Sequence, residues 1–260
     1  MTSIMSSRLR AIARETVEIA ERGSYGEVSI AVAPAVSGTR LHLPDDELSL
    51  PEQGELPEID VTNESTLDAT RRLGGDVAAL VFASARNPGG GFLNGAQAQE
   101  ESVARSSALY PCLLAAGDFY RHHRAHDDLT YSDRVIYSPR VPVFRDDKGN
   151  LLPEPYPVSF LTAAAPNRSA IVRTQPERAE GIPAALLQRA VRVLHVAAAH
   201  GHRRLVLGAW GCGVFGNDPA VVAEVFRTAL RENRFFDHVV FAVLDRQKGT
   251  PTLNAFTRPW

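Results

Sequence analysis

Two stretches carry the residue types that chemistry needs. In the first, Asn87-Pro88-Gly89-Gly90-Gly91 follows the apolar run 77–83 and precedes Gln99-Glu100-Glu101. Successive glycines admit positive φ and let backbone N–H groups reach a ligand with no Cβ in the way, which suits a phosphate or a sugar. Ordinary turn punctuation would look the same. Adjacent glutamates on a helix point about 100° apart, so Glu100 and Glu101 can touch different parts of one ligand. Acidic residues in a first turn also serve simply to complement the helix dipole. Their setting favours a ligand, because a glycine turn at the end of a buried strand is where open α/β sheets bind one.

The second stretch, Gly211-Cys212-Gly213-Val214-Phe215-Gly216, lies between an apolar run at 205–209 and a helix start near Pro219. Backbone donors and a helix dipole there favour an anion, so a diphosphate is the expected guest. The spelling is GxGxxG, but a dinucleotide-binding unit needs further βαβ structure after it. Only 44 residues follow Gly216, and Asp245 stands 29 positions on, too far for the usual ribose-binding acid. A dehydrogenase is therefore set aside.

Other candidates lead to less. His122, His123 and His126 include a His-x-x-x-His pair but no HExxH, so a solvated helix end is expected and no metal. Cys112 and Cys212 are a hundred residues apart and form no zinc or disulfide framework. Cys212 fills a tight bend and needs no reactive role. Ser84 lacks the GxSxG setting of a hydrolase nucleophile.

Of 260 residues, 44% are hydrophobic and 22% charged, enough for a large core without disulfides or metal. A net charge of -2 argues against a broad cationic surface, so direct nucleic-acid binding is not expected and any nucleotide must be read locally. Only Lys148 and Lys248 are lysine, a bias attributed to codon composition. The start has no apolar signal stretch, and no run approaches a membrane span, which points to a cytoplasmic protein without membrane contact.

The elements that must position these residues follow from periodicity. Ser6 or Ser7 is expected to cap a helix that Gly23 stops, and 28–32, 39–43 and 59–62 read as short strands around a Pro- and acid-rich loop at 44–57. Asn63 is expected to cap a helix ending at Gly74. Residues 77–83 read as a strand buried on both faces. Helices are expected at 97–110, from Pro111 to about 121, at 183–200 and from about 219. Strands are expected at 135–137, 141–144, 158–164, 205–209 and 239–244. Leu186, Leu187, Ala190, Val193, Leu194 and Ala197 would form the inner face of the 183–200 helix. Strand–helix alternation in the second half implies right-handed crossovers with helices on both faces, and the irregular first half implies a mixed sheet.

The unbroken stretch FASARNPGGGFLNGAQAQEESVARSSALY (82–110) resembles the catalytic region of bacterial-type poly(ADP-ribose) glycohydrolases, whose signature is three glycines, a short spacer and Gln-Glu-Glu. IYSPRVPVFRDDKG (136–149) and VLGAWGCGVFGNDP (206–219) extend the resemblance over most of the chain from about Arg8 onward. It implies an α/β fold, a macrodomain-like three-layer α/β/α sandwich with a mixed central sheet. Residues 1–260 would form one catalytic domain, with a helical and strand extension of about 1–62 packed on it.

The resemblance also implies roles. Glu101 becomes the general acid that protonates the leaving ribose oxygen and then, as carboxylate, activates water against an oxocarbenium-like centre. Glu100 would orient the reacting ribose hydroxyls. Gly89, Gly90 and Gly91 would approach the diphosphate and distal ribose, with Asn87 and Gln99 contacting that ribose. Gly213, Val214, Phe215 and Gly216 would close over the diphosphate, Phe215 either packing on the ribose or lying in the core. No cofactor is implied; the partners are poly(ADP-ribose) or another ADP-ribosylated substrate and the ADP-ribose product. Two alternatives stay open: a reader that binds ADP-ribose without cleavage, and a hydrolase of ADP-ribose joined to protein or nucleic acid. The paired acid argues against the reader, which has no use for it.

Overall fold

The computed structural model describes residues 2–260. In chain order the elements are α1 (Thr2–Arg22), β1 (Ser24–Tyr25), β2 (Val28–Ser29), α2 (Val32–Gly38), β3 (Arg40–His42), β4 (Glu58–Thr62), α3 (Thr66–Leu73) and β5 (Ala78–Phe82). Then come α4 (Gln99–Ser106), α5 (Leu109–Ala115), α6 (Asp118–Ala125), β6 (Val135–Arg145), β7 (Leu151–Ala163) and α7 (Arg168–Thr174). The chain continues through α8 (Ile182–Ala199), β8 (Arg204–Leu207), α9 (Pro219–Glu232), β9 (His238–Ala242) and α10 (Pro251–Phe256).

Seven strands form one mixed sheet in the order β3-β6-β7-β5-β8-β9-β4. From β7 to β4 all pairs are parallel; β6 is antiparallel to both β3 and β7. Successive residues of a strand point to opposite faces, and β5 divides accordingly. Ala79 and Val81 join the core built with α1–α6, while Ala78 and Leu80 join the core built with α7–α10. This is the expected three-layer α/β/α sandwich, with the C-terminal ends of the parallel strands left open at one edge.

Local sequence explains the places where the elements differ from expectation. The helix expected at 97–110 stops at Ser106, because Pro111 has no N–H for the Ser107 carbonyl and its ring would strike that carbonyl. Ser107 is extended instead, and α5 starts afresh two residues later. The strands expected at 135–137 and 141–144 are one strand. Pro139 and Pro142 interrupt the pattern, yet a register shift between Ser138 and Val141 absorbs the break, with Arg140 at φ 45°. α1 begins well before Ser6 and Ser7, which lie inside it; Ser65, not Asn63, caps α3 by accepting from Asp68 N–H. Residues 32–38 form α2, and α7 and α10 are further elements that periodicity did not mark. Within the stretch expected as an extension, β3 and β4 belong to the central sheet and supply its two edges.

The helical stretch Pro176–Ala199 is long and apolar enough for a membrane span by length and composition alone. In the fold it is a core helix: Leu186, Ala190, Val193, Leu194 and Ala197 recur at helical spacing and are fully buried. Each large member of that row contributes about 1.5–3 kcal/mol by leaving water.

Candidate active site

A cleft of about 930 Å3 runs along the open ends of the parallel strands. Its floor is the end of β5 and the two residues after it (Phe82–Ser84) with the start of α4, and one wall is the turn Gly211–Phe215. What fixes α4 there is Gln99. Its carbonyl accepts from Phe82 N–H at 2.8 Å, and its amide donates to Leu80 O at 2.8 Å and Thr66 Oγ1 at 3.1 Å. Both Gln99 N–H donors are thus engaged within the protein, leaving one carbonyl lone pair for a ligand. These bonds make Gln99 a splint between strand and helix.

The two glutamates next to it stand in different environments. Glu100 is 3% exposed, and its Oε2 accepts from Ser84 N–H at 2.6 Å, with Gly89 N–H as a second donor. Burial pushes this carboxyl well above the usual glutamate range; the Ser84 bond opposes the shift and the Glu101 charge adds to it. Its other oxygen, Oε1, is buried with no hydrogen-bond partner within the protein. Glu101 is half-buried, lines the cleft, and accepts from Gly91 N–H through Oε1 at 3.0 Å. Both carboxylates converge on Gly90. A Cβ there would lie 2.3 Å from Glu101 Oε1 and 3.0 Å from Glu100 Oε2, and the residue sits at φ +60°, so only glycine fits without displacing the acids.

The second glycine turn is held from behind. Asn217, 2% exposed, donates from Nδ2 to Pro166 O at 2.8 Å and Gly211 O at 3.1 Å, while Ser169 N–H donates to Phe215 O at 2.9 Å. At the front, the backbone N–H groups of Gly213, Val214 and Phe215 have no partner among the described residues, and a Cβ on Gly213 would meet nothing within 4 Å. Val214 is 88% exposed. The start of α9 does not offer the anion site expected of it, because the Asp218 side chain already caps it, accepting from Ala220 N–H at 2.8 Å. The unpaired donors lie in the turn itself.

Residues 13–146 match the family described as microbial-type PARG, catalytic domain. Poly(ADP-ribose) glycohydrolase (PARG) from Thermomonospora curvata is 53% identical, with 97% of this chain and 99% of that chain covered at a TM-score of 0.89. The chain belongs to the microbial-type PARG family. The Thermomonospora curvata enzyme solved with the inhibitor ADP-HPD is 53% identical over 98% of this chain and all of that one, TM-score 0.87. PARG from Deinococcus radiodurans in complex with ADP-ribose is 46% identical over 86% of this chain and 94% of that one, TM-score 0.79. No curated protein matches.

Within this PARG fold the expected site residues divide. Glu100, Glu101, Gln99, Gly213, Val214 and Phe215 line one cleft. Asn87 and Gly89–Gly91 do not line it; the glycines stand behind the glutamates, and Asn87 is exposed with its carbonyl accepting from Gly90 N–H. Gly216 also lies off the cleft, packed on Ser169. Phe215 lines the cleft and is partly buried against the core, 6.0 Å from the Tyr131 ring. Cys212 lines the cleft too, but burial, with the Asp218 charge, pushes its thiol up to about 12, which makes it a poor nucleophile. Cys112 is buried and pushed up to about 11.

Several residues that line the cleft were not expected there from the sequence. Ser84 supplies a backbone donor rather than a nucleophile. Leu9 and Ile12 of α1, Asp146–Gly149 of the β6–β7 turn, and Leu244–Gln247 after β9 complete the lining. Asp245 builds the last of these loops, accepting from the backbone N–H of Gln247, Thr252 and Leu253. Its position past the end of a parallel strand was the available signal. His122 and His126 stack at 4.0 Å away from the cleft. Among the described residues, the one carboxylate–histidine group close enough to hold a cation is Glu58, Asp60 and His238, at the opposite strand ends.

Proposed function

We infer that this chain is a poly(ADP-ribose) glycohydrolase, hydrolysing ribose–ribose O-glycosidic bonds and releasing ADP-ribose, with Glu101 as general acid and base. The observation that carries the reading is the pair of adjacent glutamates in two different settings at the head of α4. Glu101 faces the cleft with one oxygen on Gly91 N–H, so its other oxygen is open to a leaving ribose. It protonates that oxygen as the glycosidic bond breaks, then takes a proton from the water that attacks the oxocarbenium-like centre.

Glu100 has one oxygen held by backbone N–H groups and one without a partner. That free oxygen suits a ribose hydroxyl, which would satisfy the buried group and orient the sugar. The unpaired N–H groups of Gly213–Phe215 suit the diphosphate that links this ribose to the rest of ADP-ribose. ADP-ribose, the ligand in the Deinococcus radiodurans structure, is the product expected in this cleft. No resident metal has a part in these steps.

The test is incubation of the protein with labelled polymer and, separately, with mono-ADP-ribosylated protein, followed by chromatography of the products. Free ADP-ribose from the polymer alone is the expected outcome. Release from the modified protein alone would make the chain a mono-ADP-ribosyl hydrolase, and release from neither would make it a reader.

A further inference from the structure

Arg105 stands four residues after Glu101 on α4, on the same helical face. It is 6% exposed and lines the cleft beside that glutamate. Among the described residues it forms no salt bridge, and the Glu101 carboxylate acts on it only through space, against the cost of burying a guanidinium. Its NH1 donates instead to the backbone carbonyl of Ala96 at 2.5 Å.

Ala96 leads straight back to the acid. Its N–H donates to Gly91 O at 3.1 Å, and Gly91 N–H donates to Glu101 Oε1 at 3.0 Å. Arg105 and Glu101 share one helix, so the contacts close a ring: Glu101, Gly91, Ala96, Arg105 and back through α4. The ring has little slack. Residue 96 is tied to Gly91 by its own N–H bond to Gly91 O, so a shift of residue 96 is passed through that bond to the donor that holds Glu101. Helix α1 braces it from outside: buried Thr16 donates from Oγ1 to Arg105 O at 2.6 Å, and Ser6 Oγ donates to Asn94 O at 3.3 Å.

We propose that Arg105 is a positioning residue, which fixes the Gly91 N–H and hence the Glu101 carboxylate where proton transfer occurs. The proposal rests on Glu101 being the acid. A misplacement of about 1 Å can lower a rate about 100-fold, and no residue of this ring belongs to the diphosphate turn.

The experiment uses the full chain with Arg105→Met and Arg105→Lys, each alone and combined with Glu101→Gln. Thermal melting, ADP-ribose calorimetry and steady-state hydrolysis of polymer are measured on each. Arg105→Met should lower kcat by about 10- to 100-fold and leave KM and ADP-ribose affinity within about threefold. Arg105→Lys keeps a donor that can reach Ala96 O and should recover most of the turnover. In the Glu101→Gln background Arg105→Met should add no further loss, because it acts through a proton transfer that is already absent. If Arg105→Met does not hold its fold, Arg105→Gln carries the same test.

Wild-type kcat in a folded variant overturns the proposal, as does a loss of ADP-ribose affinity in step with kcat. A full repeat of the kcat loss on top of Glu101→Gln overturns it too. Failure of the underlying reading shows separately, as near-normal turnover by Glu101→Gln alone.

Discussion

Replacing Glu101 by glutamine separates proton transfer from every other contribution of that side chain. Glutamine has the same size, and its carbonyl can keep the 3.0 Å bond from Gly91 N–H, so the ring of contacts around the acid has no reason to move. What disappears is the ability to give a proton to the leaving ribose and take one from water. General acid–base catalysis is worth about 10²–10⁴-fold, which corresponds to about 2.7–5.4 kcal/mol of transition-state stabilisation. The whole loss should appear in kcat, with ADP-ribose affinity changed by less than about tenfold, because product binding needs no proton transfer. Product release from labelled polymer, paired with an ADP-ribose titration, measures both. Glu100→Gln is the necessary companion, since Glu100 is the carboxyl that burial raises, and a raised pKa is itself a mark of a general acid. An amide at 100 can keep the Ser84 N–H bond and still meet a ribose hydroxyl, so it should retain more activity than Glu101→Gln. Near-normal turnover by Glu101→Gln, or a larger loss at Glu100 than at Glu101, would refute the assignment and make the buried glutamate the acid.

Gly90→Ala would put its Cβ 2.3 Å from Glu101 Oε1 at φ +60°; the carboxylate can swing away, so the chain should fold while kcat falls at least about tenfold, and an active, folded variant contradicts this geometry. Burial raises Glu100 above its ordinary value of 4.5, so its contribution to stability is complete below that pH and is lost as pH rises through the folded value. The melting temperature of Glu100→Gln minus that of wild type should therefore grow more positive from about pH 4 to pH 8, and a difference independent of pH would show that the group is not raised. Gly213→Val meets open space within the protein; its melting curve should match wild type while ADP-ribose affinity drops by about tenfold or more, and unchanged calorimetric affinity would remove the turn from the site.

How much of this was readable from sequence depends on how local each cause is. The β5 and β8 strands, the stop at Gly74, the helix start near Pro219 and most of the inner face of α8 are set by neighbouring residues, and the sequence pattern found them. The pair Glu100 and Glu101 and the turn at Gly213 were also visible, because each is a short run of chemically marked residues. The long β6 strand was hidden by Pro139 and Pro142, whose effect a bulge absorbs only when β7 lies alongside. The cleft walls at Leu9, Ile12, 146–149 and 244–247 were hidden for a different reason: they meet only through the folded topology.

The glycines show where such reading stops. A glycine in a sequence announces that backbone is approached closely, and says nothing of what approaches. At Gly90 the neighbour is the pair of acids; at Gly211 it is Asn217 and Ala165; at Gly216 it is Ser169; at Gly213 the protein leaves the space empty. Sequence reading assigned Gly90, Gly213 and Gly216 to one ligand. The structure divides them into a turn that packs against the acids, two residues that anchor the second turn, and one position on the cleft wall that no protein atom fills. Substitutions at 90, 211 and 213 therefore report on catalysis, loop integrity and binding respectively, so a common phenotype at all three would mean that the two turns move as one unit and that this division is wrong.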